Sequence, residues 1–456
     1  MTDKKYDWTV IGGGIAGIYA AYRLNASGAR VALLEGSNRL GGIMNSVEWM
    51  GFHIDNGCHL LDYGDEHSAR FFNDMLGADV VPVSVRYNGF THPTAVSEGI
   101  IVPDFQNFPA ATRTQMVDEV VKASKALQAA GDEIHLGEAL ARRYGPTIAE
   151  QLKTCVVKTS GYEPSQLSED ALMTLGPVTR VRIEDDAKTE ALKASSPRLD
   201  EILAVSTQNN PMRFQATRGK YPFRNYYPAG GGMSVLCRRA LTFLQERGVD
   251  VQLGSSFSKA TIESDHVKLA VNETILSEKV YFSLNALVFC NVFNIASDLK
   301  KFMLPVSAHF VAFRVKKEAI KPVTFLHDYR ETSLSFRNSA TGLYSHQIDS
   351  DGMSFVIAEI NAPIGKPLPG TPDEIARRCW SEMIEQGLVE RADAVPAFHI
   401  WQAPVAFVLP KFGWRPEAAE LDKRSAELSE RIIKPSVLLR GKKSLFASVE
   451  GLLNVH

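Results

Sequence analysis

The sequence lacks the cysteine pattern of a disulfide-rich or zinc-binding protein. Only five of its 456 residues are cysteine, and they stand far apart, at positions 58, 155, 237, 290 and 379. Their number is odd and no C-x-x-C pair occurs, which argues against a disulfide framework and against a zinc site. This pattern predicts reduced thiols in a cytoplasmic protein, and we expect no metal site.

Long apolar runs and a strong net charge are missing as well. The most apolar internal stretch, residues 284–296, is interrupted by three asparagines and is too short to span a bilayer. No apolar signal segment precedes the first predicted strand. The net charge is −2, and no basic run of the kind that binds nucleic acid or anionic lipid occurs. We therefore expect no integral membrane segment and no nucleic-acid partner.

The length and composition fit a soluble globular protein with more than one domain. The chain is too long for one ordinary domain. Hydrophobic residues make up 45% of it and charged residues 22%, which is typical of soluble proteins. No internal repeat or low-complexity segment stands out.

Residues 6–35 predict a dinucleotide-binding unit. A β-rich run leads directly into Gly12-Gly13-Gly14-Ile15-Ala16-Gly17, a G-x-G-x-x-G pattern that opens a helix and is followed by a second strand. In such a unit the first glycine permits a tight turn, the second lets the backbone approach a pyrophosphate, and the third lets helix and strand pack closely. The helix N-terminus, with Ile15 and Ala16, offers N–H groups to the phosphates.

Glu35 ends the second strand of this unit, where its carboxylate can accept hydrogen bonds from both ribose hydroxyls. The complete order of strand, glycines, helix, strand and acid favours a true nucleotide site. A glycine-rich turn that binds nothing is the alternative.

Two further glycine segments follow at once. Arg39-Leu40-Gly41-Gly42, an R-x-G-G segment, follows Gly36 after Ser37 and Asn38, and Asp55-Asn56-Gly57, a D-x-G segment, comes after residues 51–54. An arginine can neutralise pyrophosphate charge, and paired glycines let the backbone lie against a flat ring. A simple loop is the alternative for Gly41 and Gly42.

With these segments the chain resembles the flavin-dependent amine oxidase superfamily, more closely its protoporphyrinogen-oxidase-like branch, which is related to UDP-galactopyranose mutase. The resemblance implies an α/β fold in which a Rossmann-like FAD-binding domain is interrupted by a mixed helical and β-sheet substrate domain. It implies FAD as the cofactor, and non-covalent binding, since no counterpart of the flavin-linked cysteine of monoamine oxidases occurs. The predicted FAD-binding residues are Gly12, Gly14, Ile15, Ala16, Gly17, Glu35, Gly36, Arg39, Gly41, Gly42, Asn56, Gly57, Phe257 and Glu450.

The domains are predicted to alternate along the chain. Residues 1–90 are the first part of the FAD-binding domain, 91–220 the helical and substrate-domain insert, and 221–296 the second part of the FAD-binding domain. Residues 297–400 are predicted to form the substrate-binding sheet, and 401–456 to return to the FAD-binding domain.

Two segments of the later chain leave questions open. Gly230-Gly231-Gly232 opens a helix and could cradle a second phosphate, although a glycine loop that merely starts a helix is favoured because no strand precedes it directly. Residues 437–451 resemble the family's late strand and glycine turn. The helix that normally follows has little room, so we expect a more exposed FAD, or a partner that covers this end.

No catalytic arrangement can be named from spacing alone. His59 follows the D-x-G segment, but a structural histidine is the favoured interpretation. Arg337 is predicted on a strand at 333–337 and could bind an anionic substrate, but an exposed salt bridge is an equal alternative. Tyr63, Phe336 and Tyr344 are weaker candidates.

Three functions stay open at this point. The first is an FAD-dependent oxidoreductase that dehydrogenates a C–N or C–C bond of a small molecule and passes electrons to an acceptor such as oxygen or a quinone. The second is a redox-neutral flavin isomerase that resembles UDP-galactopyranose mutase and acts on a nucleotide sugar. The third is a flavin-binding protein without catalysis. The helical insert and the Y-P-x-G-G segment at 227–231 resemble the oxidase branch and favour the first; a homo-oligomer is possible in each.

Overall fold

The computed structural model describes residues 4–91, 95–126, 132–206, 223–255, 257, 259–392, 394–434 and 442–454, the last range with side chains for 445–451. Its strands, in chain order, are β1 (Lys4–Ile11), β2 (Val31–Leu34), β3 (Val47–Trp49), β4 (Phe52–Ile54), β5 (Leu61–Asp62), β6 (Val80–Pro82), β7 (Tyr87–Phe90), β8 (Val96–Glu98), β9 (Asn225–Pro228), β10 (Asp250–Gln252), β11 (Lys259–Ile262), β12 (Val267–Ala270), β13 (Thr274–Phe282), β14 (Met303–Lys316), β15 (Phe325–Asp328), β16 (Arg337–Ser339), β17 (Met353–Pro363), β18 (Phe398–Pro410) and β19 (Ile432–Ile433).

The helices are α1 (Ile15–Ala26), α2 (Glu66–Leu76), α3 (Ala110–Lys125), α4 (Leu136–Tyr144), α5 (Pro146–Ser160), α6 (Asp186–Ser195), α7 (Pro197–Ile202), α8 (Met233–Glu246), α9 (Ala286–Val292), α10 (Thr341–Tyr344), α11 (Pro372–Glu385), α12 (Arg415–Leu428) and α13 (Lys442–Asn454). Short 3-10 helices lie at Gly42–Met44, Glu169–Met173, Gly176–Thr179, Leu299–Phe302 and Lys317–Ala319.

The first sheet carries the predicted dinucleotide unit. Its strand order is β10-β2-β1-β13-β12-β11, with β19 against β13. The strands β10, β2, β1, β13 and β19 pair in parallel, whereas β11 and β12 complete one edge in antiparallel fashion. All four residues of β2 are buried, as expected for a strand covered on both faces of a parallel sheet.

The second sheet has the order β18-β14-β17-β16-β15-β7-β8. Alternation along β14 and β17 gives it two faces. One face packs against α11 through Val311, Phe313 and Val356, and the other packs against the β3–β4 hairpin through Phe310 and Phe355. The second face therefore contacts residues 47–54, which belong to the predicted FAD-binding part of the chain.

The helices α3, α4, α5 and α7 form the predicted insert and have a core of their own. Met116, Leu140, Leu152 and Leu199 are fully or almost fully buried in it, one from each helix. Pro146 at the first turn starts α5, and Gly161 in the left-handed conformation ends it. All four helices lie within residues 91–220, where the sequence predicts a helical insert.

The chain returns to the first sheet twice after the insert, because β10 pairs with β2 and β13 with β1, and later β19 pairs with β13. The pairings differ from the predicted boundaries at two places. β7 lies before residue 90 but pairs with β15 of the second sheet, and β18 of that sheet continues to Pro410. The division into domains as a whole stays a prediction.

The C-terminal region differs from the expectation that a last helix has little room. Residues 435–441 lie outside the described residues, but Lys442–Asn454 form α13. Phe446 stacks on Tyr19 with ring centroids 4.1 Å apart, and Glu450 binds Arg23. Because 446 lies beside 19 and 450 beside 23, α13 runs parallel to α1, with its N-terminal end toward that of α1.

The predicted strand at 333–337 is wrong, since only Arg337–Ser339 is a strand. The preceding residues form a loop because Glu382 of α11 accepts hydrogen bonds from the backbone N–H groups of Leu334 and Ser335, the latter at 2.9 Å. These N–H groups would otherwise be available to a neighbouring strand.

Lys158 of α5 ties the insert to this loop. Its Nζ donates to the carbonyl oxygen and to Oγ of Ser333, the latter at 3.0 Å. Burial lowers the pKa of Lys158 to about 8, against the opposing effect of the Asp328 and Glu382 carboxylates. The folded protein therefore binds the Lys158 proton less tightly than the unfolded chain does.

The free energy of unfolding should rise with pH between about 8 and 10.5 through Lys158, since the unfolded chain holds more protons in that window. The full difference is at most about 3 kcal/mol. We expect Lys158→Met to flatten this rise in urea unfolding curves recorded from pH 7 to 10.5. Lys153→Met is the matched control, because Lys153 lies on the same helix but is 53% exposed. Equal slopes for wild type and Lys158→Met would contradict the assignment.

Candidate cofactor and substrate site

The loop between β1 and α1 has the geometry that the three glycines predict. Gly12 has φ of 101°, and a Cβ at Gly17 would lie 1.8 Å from the Gly12 carbonyl oxygen. Only glycine fits at these two positions. A Cβ at Gly14 would meet nothing within 4 Å, so the backbone at Gly14 borders open space at the helix N-terminus. This is the space that a pyrophosphate requires.

The R-x-G-G segment lies against this loop. Gly41 N donates to Gly13 O at 2.7 Å, and Gly14 and Gly41 form a parallel bridge. Gly41 has φ of 114°, and a Cβ there would lie 2.2 Å from Cys237 Sγ. Arg39, two residues earlier, is exposed. The G-x-G-x-x-G loop and the R-x-G-G segment, which are both predicted to bind FAD, are thus brought together.

Glu35 lies at the edge of the same cradle. Its carboxylate accepts hydrogen bonds from Gly13 N at 2.6 Å and from Ser37 N at 2.8 Å. The backbone N–H of Ser255 donates to Glu35 O at 2.9 Å, so the segment that leads to Phe257 runs beside residues 35–37. Phe257 is partly buried against the neighbouring core, and Gly36 is exposed.

Asp55 has a role that the sequence analysis missed. It is fully buried, and its carboxylate accepts from Met233 N at 2.9 Å and from the hydroxyl groups of Tyr227 and Ser46. Asp55 therefore caps the N-terminus of α8, where a negative charge is stabilised. A Cβ at Gly232 would lie 2.7 Å from Asp55, which explains the glycine there. The sequence contains both signals for this cap, the aspartate of the D-x-G segment and the glycines at 230–232. They are far apart in the chain, so their contact is seen only in the folded structure.

This cap also decides between the alternatives for residues 230–232. The first N–H groups of α8 already have protein partners, since Met233 N binds Asp55 and Ser234 N binds Ser46 Oγ at 3.1 Å. The favoured interpretation, a glycine loop that starts a helix, is therefore supported over a second phosphate site.

Asn56 and Gly57 connect the dinucleotide-binding part to the second sheet. Asn56 Nδ2 donates to the carbonyl oxygens of Ile43 and Asn45, both at 3.1 Å, and its Oδ1 accepts from Trp401 Nε1 at 2.9 Å. Gly57 has φ of 93°. A Cβ at Gly57 would lie 2.7 Å from Arg337 Nη2 and 2.8 Å from Glu359 Oε2.

A family model for an NAD(P)-binding Rossmann-like domain matches residues 10–75. Among curated proteins, hydroxysqualene dehydroxylase of Zymomonas mobilis is 39% identical over 72 residues, which is 15% of this chain and 17% of that protein. The chain thus matches well under two thirds of that relative's length.

Three solved structures cover nearly the whole chain. One from Exiguobacterium, titled "Putative protoporphyrinogen oxidase", has a TM-score of 0.66 at 15% identity, over 100% of this chain and 99% of that one. Reduced UDP-galactopyranose mutase has a TM-score of 0.70 at 16% identity, over 100% and 96%. A double mutant of putrescine oxidase has a TM-score of 0.64 at 11% identity, over 100% and 98%.

This chain shares the fold of these three solved structures. The resemblance predicted from the sequence and the α/β fold class are both confirmed at this level. Solved structures at such identities show the fold, and the shared fold leaves the substrate undecided.

A row of side chains crosses the second sheet where the sheet meets the D-x-G segment, residues 55–57. Residues directly opposite one another on paired strands point to the same face. The register pairs β15 with β16, β16 with β17, β17 with β14, and β14 with β18. The row therefore consists of His327, Arg337, Glu359, Phe310 and Trp401.

Arg337 and Glu359 form an ion pair at the centre of the row. Arg337 Nε and Nη2 both donate to Glu359 Oε2, the first at 3.0 Å. Burial acts to lower the pKa of Arg337, but the Glu359 carboxylate and Cys58 outweigh it and raise that pKa. Of the two open alternatives for Arg337, the salt bridge is the one that the structure shows, although the pair is largely buried.

His327, at one end of the row, stays neutral. Its Nδ1 lies 3.0 Å from the carbonyl oxygen of Ile101, and its ring stacks on Phe336 with centroids 4.8 Å apart. Burial, followed by the positive charge of Arg337, lowers the pKa of His327 to about 3. The sequence analysis did not single out this histidine, because its place beside Arg337 depends on strand pairing.

Tyr344 lies beside the same segment. Its hydroxyl donates to Cys58 Sγ at 3.1 Å and also contacts Thr341 Oγ1 at 2.9 Å. Burial and then Cys58 raise the pKa of Tyr344 far above its usual range, so the phenol keeps its proton. Of the weak catalytic candidates, Arg337 and Tyr344 are therefore brought close to the D-x-G segment. His59 is half-buried and lies two residues after Gly57 in the chain.

Two other candidates have structural positions. Tyr63 is 2% exposed and packs on Tyr226 in the core, with centroids 4.2 Å apart, and Phe336 packs in the core of the insert. Both are corrected from weak catalytic candidates to core residues.

Glu450 makes two contacts with α1. It binds Arg23 on the third turn and the hydroxyl group of Tyr19 on the second turn, the latter at 2.6 Å. At 1.5 Å per residue, Arg23 lies roughly 12 Å and Tyr19 roughly 6 Å along α1 from its first residue, and contact between Glu450 and FAD stays a prediction.

Metal and membrane features are not found in the described part of the chain. Over those residues, no three His, Cys, Asp or Glu side chains come together in a group that could hold a metal ion. No described helix has the length and apolar character needed to cross a bilayer.

Gly14 and Gly17 should respond differently to an added methyl group. Gly17→Ala should lower the free energy of unfolding of the FAD-free protein by about 3 kcal/mol or more, because the methyl group meets the Gly12 carbonyl. Gly14→Ala should change it by less than about 1 kcal/mol, since the space is open. It should still weaken FAD binding at least about tenfold, because that space receives the pyrophosphate.

Urea unfolding of the FAD-free proteins and titration with FAD by fluorescence quenching measure the two effects separately. Wild-type FAD affinity in Gly14→Ala would show that the open space is not the pyrophosphate site.

Proposed function

We propose that the protein is an FAD-dependent oxidoreductase that dehydrogenates a C–N or C–C bond of a small molecule. The observation that carries the proposal is the meeting of three segments: the G-x-G-x-x-G loop, the R-x-G-G segment and the D-x-G segment, the last against the second sheet. Gly12, Gly14, Gly17, Gly41 and Glu35 would hold the dinucleotide, with Asn56 and Gly57 toward its ring end. When bound, FAD supplies the two-electron acceptor chemistry that no amino-acid side chain has.

The chain's own residues bind the substrate and exclude water. Gly57 lies directly against the Arg337–Glu359 pair. Asn361 follows Glu359 by two residues on β17. Its Nδ2 donates to the carbonyl oxygen of Thr159 of α5 at 2.8 Å. The row therefore lies between the D-x-G segment and the insert. A site between two domains is a common place for a small-molecule pocket.

The redox-neutral isomerase is the second candidate, because the mutase structure covers the chain as completely as the oxidases do. A further reading, a flavin-binding protein without catalysis, predicts no turnover at all. The electron acceptor, the cytoplasmic location and the oligomeric state stay predictions.

The purified protein should be yellow and should release FAD, not FMN, on heating. Glu35→Ala should weaken FAD binding about tenfold or more, since a half-buried acceptor at the cradle is lost. Glu48→Ala is the control, because the Glu48 side chain is 80% exposed. Chromatography of the released cofactor and FAD titration give the result. A colourless protein that does not bind added FAD but binds NAD would refute the cofactor assignment.

The oxidoreductase and the isomerase differ in stoichiometry. For an oxidoreductase we expect substrate to bleach the visible absorbance once without an acceptor, and air to restore both colour and turnover. The reason is that electrons taken from the substrate must leave before the next cycle. Candidate substrates are first screened by anaerobic bleaching of the oxidised protein, and product per FAD is then counted with and without acceptor. Many turnovers of pre-reduced protein without an acceptor would favour the isomerase.

A further inference from the structure

The Arg337–Glu359 pair leaves two polar atoms unused. Both hydrogen bonds of the pair end on Glu359 Oε2. Within the described part of the chain, Arg337 Nη1 and Glu359 Oε1 have no hydrogen-bond partner, and neither is among the fully buried atoms. The Arg337 side chain is 22% exposed and that of Glu359 10%. One donor and one acceptor of the same ion pair are therefore partly accessible and have no protein partner among the described residues.

The surroundings of this edge carry no other charge in the row. His327 is neutral, and Phe310 and Trp401 continue the row as stacked rings with centroids 5.1 Å apart. Arg314 of β14, on the same face, lies four residues beyond Phe310 and pairs with Asp349 and Asp351. The site thus combines an aromatic platform with one ion pair whose charges cancel.

We propose that Arg337 Nη1 and Glu359 Oε1 together bind an uncharged polar group of the substrate, one that both accepts and donates a hydrogen bond, such as a primary amide or a hydroxyl. This inference rests on the proposed function, because it places the substrate between the D-x-G segment and the second sheet. It names the chemical class that the row recognises.

The electrostatics decide between the possible groups. A carboxylate is attracted by Arg337 but repelled by Glu359, and an ammonium group experiences the reverse, so little attraction offsets the desolvation of either ion. A hydrocarbon leaves Nη1 and Oε1 covered without a partner, which also costs free energy. An amide or hydroxyl satisfies both atoms and loses little hydration.

Four probes with the same ring test this ranking: benzamide, benzoate, benzylammonium and toluene. Their binding to the FAD-loaded protein is measured by ligand-observed saturation-transfer NMR. We expect benzamide to bind at least about tenfold more tightly than the other three. A tighter benzoate, benzylammonium or toluene, or no binding of any probe, would overturn the proposal.

Two variants should move the ranking in opposite directions. Glu359→Gln leaves the Arg337 charge uncompensated, so benzoate should gain about tenfold or more relative to benzamide. Arg337→Gln leaves the Glu359 charge, so benzylammonium should gain instead. Arg314→Gln is the matched control, because Arg314 is also 22% exposed and paired with carboxylates on the same face. It should leave the ranking unchanged.

The double variant R337Q/E359Q keeps the proposal testable if a single variant fails to fold. It has no uncompensated charge, so benzamide should again bind best. An unchanged ranking in a folded single variant, or a benzoate preference in the double variant, would contradict the assignment. The visible spectrum of each sample reports its FAD content independently. Protein that contains no FAD refutes the proposed function, whereas FAD-loaded protein with the wrong ranking refutes only the inference about the row.

Discussion

The arrangement of the site depends on the hydrogen bonds that the buried carboxylate of Asp55 accepts. It accepts from the α8 N-terminus and from two hydroxyl groups, Ser46 Oγ before it in the chain and Tyr227 OH far after it. A fully buried carboxylate is tolerated only with such a set of partners. By satisfying Asp55 in this way, the fold fixes the segment that continues into Asn56 and Gly57. The ring end of the predicted cofactor site and its contact with the second sheet are therefore set by a helix cap in the dinucleotide-binding part.

Local features of the sequence predicted the first part of the site well. The run from β1 through Gly17 to Glu35 contains the glycines that set the backbone of this loop, so spacing alone predicted the turn at Gly12 and the close packing at Gly17. The start of α11 is equally local, because Thr371 and Glu374 form a capping box and Pro372 stands in the first turn. Such features depend on neighbours a few residues away.

The features that sequence missed all depend on distant pairing. Arg337 meets Glu359 only because β16 pairs with β17 in one register, and a shift by one residue would turn Arg337 to the other face. His327 enters the row for the same reason. Tyr63 was a weaker catalytic candidate, but its ring turns into the core against Tyr226. Burial of this kind follows from packing between elements that are far apart in the chain, here β5 and β9.

The two parts of the site carry different information about function. The family model matches residues 10–75, which contain the dinucleotide cradle but none of the strands that form the row. Similarity there bears on the cofactor and leaves the substrate open. In the proposed function, substrate recognition belongs to the row on β14 to β18, where one arginine and one glutamate oppose each other beneath Gly57. Because their charges cancel while one donor and one acceptor stay accessible, the second sheet favours a polar, uncharged substrate group. This selection is independent of which bond of the substrate is oxidised.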